Sequence, residues 1–139
     1  MTFAQRLAQI FGWGFIIIGI AGFFASGLSM TADHTMAPRL LGIFPVNLVH
    51  NLVHLLFGVL GIIMARSAVN AVLYSRIVAV AYGLLTIMGI VPGLNTTFGL
   101  IPIHGADVLL HAFIAIAATY YGFVHRMDVT TSADTATSV

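Results

Sequence analysis

The chain has no cysteine, no lysine and no glutamate, and charged residues fill only 6% of its 139 positions. Each absence closes a class of function. Without cysteine there is no disulfide, no thiolate nucleophile and no Cys-ligated metal or iron–sulfur site. The net charge of +1 comes with no basic cluster, so nothing is available to neutralise a run of phosphates and nucleic acid is excluded as a partner. There is no Ser-His-Asp order, no phosphate loop and no paired-carboxylate motif around which to build an enzyme, and the chain reads as non-enzymatic. Soluble domains carry roughly a quarter of their residues as charges. A chain that is 60% hydrophobic belongs in a lipid bilayer instead.

What is present is length and apolarity. Four stretches reach the roughly 20 residues needed to cross the hydrocarbon core: about 8–28, 47–65, 71–91 and 106–124. None alternates like a strand, and unpaired backbone cannot face lipid, so all four are expected to be helices. The first resembles a signal peptide in having Arg6 before an apolar run and Ala25-Ser26-Gly27 after it. Its run exceeds the usual core of such peptides, and it is read as a retained helix. Arg6, Arg66, Arg76 and Arg126 fall on one side of the four spans and Arg39 alone on the other. That bias places both termini in the cytoplasm of a multi-pass protein of the bacterial inner membrane. The polar tail 127–139 has too little apolar surface to fold and is expected to be a disordered cytoplasmic end.

One segment is written twice. Gly42, Pro45 and His54 recur as Gly99, Pro102 and His111, each 57 positions later. Helix two carries a stripe of Asn47, His50 with Asn51, His54, Gly58, Gly61 and Ala65, and helix four carries His104, Asp107, His111, Ala115, Ala118 and Gly122. Helical spacing puts each stripe on one face, polar in its outer half and small in its inner half. Small residues let helices approach closely in lipid, so these two faces are expected to turn inward, toward each other. Helices one and three show a looser relation, with Arg6 and Gly19 matching Arg76 and Gly89 at an offset of 70. Gly12, Gly19, Gly22 and Ser26 line one face of helix one; Ala79, Gly83, Thr86 and Gly89 line one of helix three. The expected fold is all-α: an integral membrane four-helix bundle of two parallel two-helix repeats, with a pseudo-twofold along the membrane normal.

The run from Leu40 to Gly61, carrying Pro45, Asn47, His50, Asn51 and His54, resembles an uncharacterised bacterial family of small four-helix membrane proteins, the domain of unknown function 4383. The second copy, with Asp107 and His111, is similar to that family's closing helix, and the likeness extends to about Arg126. His104 departs from it, since the family more often has Asn there. The resemblance implies the membrane fold and no activity.

Polar groups inside spans are costly and usually have a role. Asn47 with His104, His50 with Asp107 and His54 with His111 are expected to descend in three layers, the last about 10 Å below the outer boundary at ~1.5 Å per residue. The leading reading is a hydrogen-bonded polar core in a structural or accessory protein, in which Asn47, Asn51 and His104 serve packing. The alternative is a metal site at His50, His54, Asp107 and His111, two i, i+4 pairs whose imidazoles and carboxylate suit zinc, copper(II), nickel or iron better than calcium or magnesium. A third reading makes His54 and His111 opposed axial ligands of a haem. A homo-oligomer or a membrane-complex partner remains open. Asp33 and His34 sit in the outer loop and read as solvated. His125 beside Arg126, and Trp13, Tyr120 and Tyr121, read as interfacial anchors near helix ends.

Overall fold

The first helix begins before its apolar run does. The Thr2 hydroxyl accepts from the Gln5 N–H, and the Gln5 side chain accepts in return from the Thr2 N–H. This reciprocal capping starts α1 at Phe3 and carries it to Ser26. Trp13, expected near an end, therefore stands near the middle of α1 with its ring exposed toward lipid. The computed structural model describes residues 1–33 and 35–125; His34, Arg126 and the tail 127–139 lie outside the described residues.

After α1 a long connection folds into two short antiparallel strands, β1 (Arg39–Leu40) and β2 (Phe44–Pro45), paired Arg39 to Pro45 and Leu40 to Phe44. Then follow α2 (Leu48–Met64), α3 (Ala68–Ile90) and, after a second long connection, α4 (Ala106–Thr119), which runs on as a single π turn over Tyr120–Val124. Near the end of that turn the Gly122 carbonyl, one of the last four that a helix leaves without an internal partner, accepts from Arg76 Nε at 2.7 Å. Apart from the strand pair the architecture is all-α, a four-helix bundle. Three helical stretches, Phe3–Ser26, Ala68–Ile90 and Ala106–Val124, are long and apolar enough to cross a membrane. α2 has 17 residues. It nevertheless lies against most of α1, with Gly61 beside Ala8 and Asn51 beside Gly22, so it occupies the same slab. The outward surfaces are apolar, with Ile17, Phe24, Leu56, Ile87, Leu109 and Phe113 all exposed.

Two ends can be told apart. At one, Gln5 Nε2 donates to the Ala65 carbonyl, and Phe3 meets the rings of Tyr121 and His125. That end gathers the N-terminus, the α2–α3 connection and the end of α4. At the other, the two long connections are tied together by Asn47 Nδ2, which donates to the Leu100 carbonyl at 2.8 Å.

The small-residue faces do not meet as the sequence suggested. A Cβ at Gly58 would stand 2.9 Å from the Gly12 carbonyl oxygen and from Ile16 N, and one at Gly61 would stand 2.9 Å from the Ala8 oxygen. At the far end of α4, a Cβ at Gly122 would stand 3.0 Å from Arg76 N. The stripes thus seal α2 onto α1 and α4 onto α3, not α2 onto α4. Small residues act between antiparallel neighbours joined by a connection, where the backbones run close for many turns.

The relation between α1 and α3 is also corrected. Buried Ala4, Ala8, Gly12 and Phe15 of α1 correspond to buried Ala71, Ser75, Ala79 and Tyr82 of α3, each pair 67 positions apart. The offset of 70 differs by three residues, which nearly preserves the helical face but shifts the height by about 4.5 Å. The two long connections also share one local feature. Leu41 and Phe98 both have positive φ (54° and 58°), each precedes a positive-φ glycine (Gly42 and Gly99), and both side chains point out, 81% and 77% exposed.

Candidate functional site

Helix starts position the polar residues. Asn47 caps α2, its Oδ1 accepting from the His50 N–H at 2.9 Å while its Nδ2 holds the other connection. One turn on, Asn51 Nδ2 donates to Ser26 Oγ at 2.9 Å, and that hydroxyl donates to the Gly22 carbonyl. Asn47 and Asn51 hold connections and helices together. His104 is half-buried immediately before Gly105, the residue that precedes α4.

The remaining residues gather differently. His50 Nδ1 lies 3.1 Å from the Pro45 carbonyl oxygen, and His111 Nδ1 lies 2.7 Å from that of Asp107. A carbonyl only accepts, so each Nδ1 carries the proton and each Nε2 presents a lone pair. This is the arrangement by which backbone oxygens fix the tautomer of ligating imidazoles. His50 Nε2 and Asp107 Oδ2 are buried and have no hydrogen-bond partner. Asp107 Oδ2 stands 3.4 Å from His111 Nδ1. One ligand atom from each of His50, Asp107 and His111 can be chosen so that all three lie within 4.8 Å of one another. Tetrahedral zinc holds nitrogen and oxygen ligands roughly 3.3 Å apart, closer than the 4.8 Å within which these atoms lie.

His54 stands outside that group. It belongs to a closed circuit of five rings: His54 stacks on Phe15 (5.6 Å between centroids), Phe15 on Tyr82 (5.2 Å) and Tyr82 on His111 (4.9 Å). His50 completes the circuit at 5.9 Å from His111 and 4.6 Å from His54. The second and third expected layers therefore merge, His50 reaching down to His111. Phe15 and Tyr82 thus link His54 to His111 through stacked rings.

Phe15 and Tyr82 carry no charge and no imidazole or carboxylate that would single them out in the sequence. Their signal was available, since they share the 67-position offset of the small residues around them. Also unforeseen is a chamber of about 160 Å³ beside the cluster. His50, His54 and Asp107 border it, as do Ile18 and Leu110, Leu40 and Phe44 of the strand pair and Leu41 in the turn between them. His125 meets the rings of Phe3, Tyr120 and Tyr121 at the opposite end of the bundle, far from this chemistry.

No curated protein and no solved structure matches the chain. A family profile does match, over residues 5–124. A membrane protein of four apolar helices, the chain belongs to the family described as Domain of unknown function (DUF4383).

Proposed function

We propose that this chain is a small multi-pass membrane protein that holds one divalent transition-metal ion, of the zinc or copper type, at His50, Asp107 and His111. The observation that carries the reading is the pair of histidines whose Nδ1 atoms are committed to backbone carbonyls while the buried His50 Nε2 and Asp107 Oδ2 make no hydrogen bond, the latter 3.4 Å from His111 Nδ1. A purely hydrogen-bonded core would leave those buried groups unsatisfied, at a cost of about 1–3 kcal/mol each. Two imidazoles and a carboxylate favour zinc or copper over calcium or magnesium. The structural reading accounts for Asn47 and for the amide nitrogen of Asn51, which make bonds such a core requires, while Asn51 Oδ1 is buried without one. It does not account for the cluster beside them.

The test is metal content after purification in mild detergent and loading with zinc or copper. One ion per chain is expected, lost in His50→Ala, His111→Ala and Asp107→Asn and kept in His54→Ala. No stoichiometric metal under any loading condition would return the protein to a structural or accessory role.

The matched connections and the matched stacks Phe15–His54 and Tyr82–His111 support descent from one duplicated two-helix unit. Arg6, Arg66 and Arg76 at one end against Arg39 at the other support cytoplasmic termini and a site near the outer face of a bacterial inner membrane. Reporter fusions at the C-terminus and at Thr35 test that orientation. An external C-terminus would invert it.

A further inference from the structure

We propose that the chamber holds a stretch of acyl chain from a bilayer lipid, admitted sideways between α1 and α4; this is independent of the metal reading. The strand pair rests on both helices, β1 against α1 and β2 against α4, whereas α1 and α4 make little contact of their own. The corresponding seam between α2 and α3 is closed by Phe57, whose ring meets Tyr82 edge-on and whose carbonyl accepts from the Tyr74 hydroxyl at 3.0 Å. Between α1 and α4 a gap therefore remains beneath the strand pair, flanked by Ile18 and Leu110. Both are half-buried, and their neighbours Ile17 and Leu109 face lipid, 63% and 74% exposed. At ~1.5 Å per residue, Ile18 and Leu110 stand about 12 and 6 Å inside the ends of their helices. Those depths fall within the roughly 15 Å that one leaflet's chains occupy.

The walls decide among occupants. Buried water needs two to four polar partners, and the chamber offers hydrocarbon from Ile18, Leu40, Leu41, Phe44, Val46 and Leu110. His50 Nε2, His54 Nδ1 and Asp107 Oδ2 are enclosed away from it, so these three residues add only carbon to its lining. A helix from a second copy, about 10 Å across, cannot enter a volume of about 160 Å³. A single hydrocarbon chain can, since an engineered apolar cavity of roughly 150 Å³ stays dry and takes benzene. In a bilayer the hydrocarbon that meets this seam is acyl chain. Inside the chamber it gains dispersion contacts on several sides, where an open helix surface supplies them on one.

The test is photolabelling of the full chain in phosphatidylethanolamine–phosphatidylglycerol vesicles. They contain a phospholipid with a diazirine high on one chain, midway along it or at its tip, in separate samples. Labelled residues are located by mass spectrometry. Val46 lines the chamber and is only 2% exposed, so a chain reaches it only from inside. An adduct at Val46 is expected from the high or midway probe, with none at Val78, which is buried in the core. Ile18→Trp and Leu110→Trp, which narrow the gap from its two sides, should each lower the Val46 yield at least tenfold. Ile17→Trp and Leu109→Trp, one position away and facing lipid, should leave it unchanged. No adduct at Val46 from any probe, while Ile17 and Leu109 are labelled, overturns the proposal. So does equal labelling of Val46 and Val78, which reports a loosened bundle. Labelling of Val46 by free phenyl diazirine alone also overturns it and assigns the chamber to small apolar solutes. None of these outcomes bears on metal content, so the two readings fail separately.

Discussion

Along α1 and α2, glycine stands wherever the two backbones cross: Gly12, Gly19 and Gly22 against Gly58, Gly61 and the Asn51 turn. At matching heights α3 and α4 use Ala79, Thr86, Ala115 and Ala118, and the hydroxyls of Thr86 and Thr119 turn back to carbonyls of their own helices. The outcome differs in kind. The first pair is sealed to the point that a methyl group at Gly22 would collide with the Asn51 carboxamide. The second leaves an open groove of about 370 Å³ among Ala79, Gly83, Ala115, Thr119 and their neighbours. The α1–α2 pair is thus closed along its length, while the α3–α4 pair is closed at Gly89 against Val108 and at Gly122 against Arg76 and open on one face between them. The cluster draws one residue, His50, from the first pair and two, Asp107 and His111, from the second.

The largest effect is expected from Gly58→Leu. Its side chain has no room against Ile16 and the Gly12 backbone, and the overpacked seam should lose about 3 kcal/mol in detergent unfolding. Asn51→Ala comes next, at about 1 kcal/mol, because it breaks the bond to Ser26 in a low-dielectric setting. Its counterpart 57 positions on is Val108, so the second hairpin has no equivalent loss to suffer. Ala115→Leu, the counterpart of Gly58→Leu, should cost less than about 1 kcal/mol, since the groove can accept the added carbons. If thermal melts find these two leucine variants equally damaging, the contrast between the hairpins is wrong. Gly83→Ala should be the mildest. Nothing stands within 4 Å of a Cβ there, and removing a mid-helix glycine should stabilise by up to about 1 kcal/mol. A loss of stability at Gly83 would reveal a close packing surface where the groove is now placed.

Much of this was legible in the sequence, for physical reasons that can be named. Apolar length and the lack of charge dictate helices in lipid, and the 57-position offset located His50, His54, Asp107 and His111 before any geometry was known. The partner of each small-residue face was not legible. A stripe on a helix states that something approaches closely but not which neighbour does, and α1 and α4 both offered suitable faces. The start of α1 was missed because capping by Thr2 and Gln5 is a polar signal, invisible to a search for apolar runs. The merging of His50 with His111 depended on side-chain reach across the bundle. Equal spacing along two helices fixes depth, and rotation and tilt decide which depths meet.

The brevity of α2 has a consequence for the membrane itself. Seventeen residues at ~1.5 Å each span about 26 Å, less than the roughly 30 Å of an average hydrocarbon core. Because α2 is fastened to the longer α1, it cannot tilt independently to change its fit, so the mismatch passes to the lipid. Acyl chains around α2 must shorten locally, drawing the headgroup layer down toward the strand pair and the chamber beneath it. In thicker bilayers that deformation grows costlier by fractions of a kcal/mol per Å, which gives the protein a preference for thinner membrane regions.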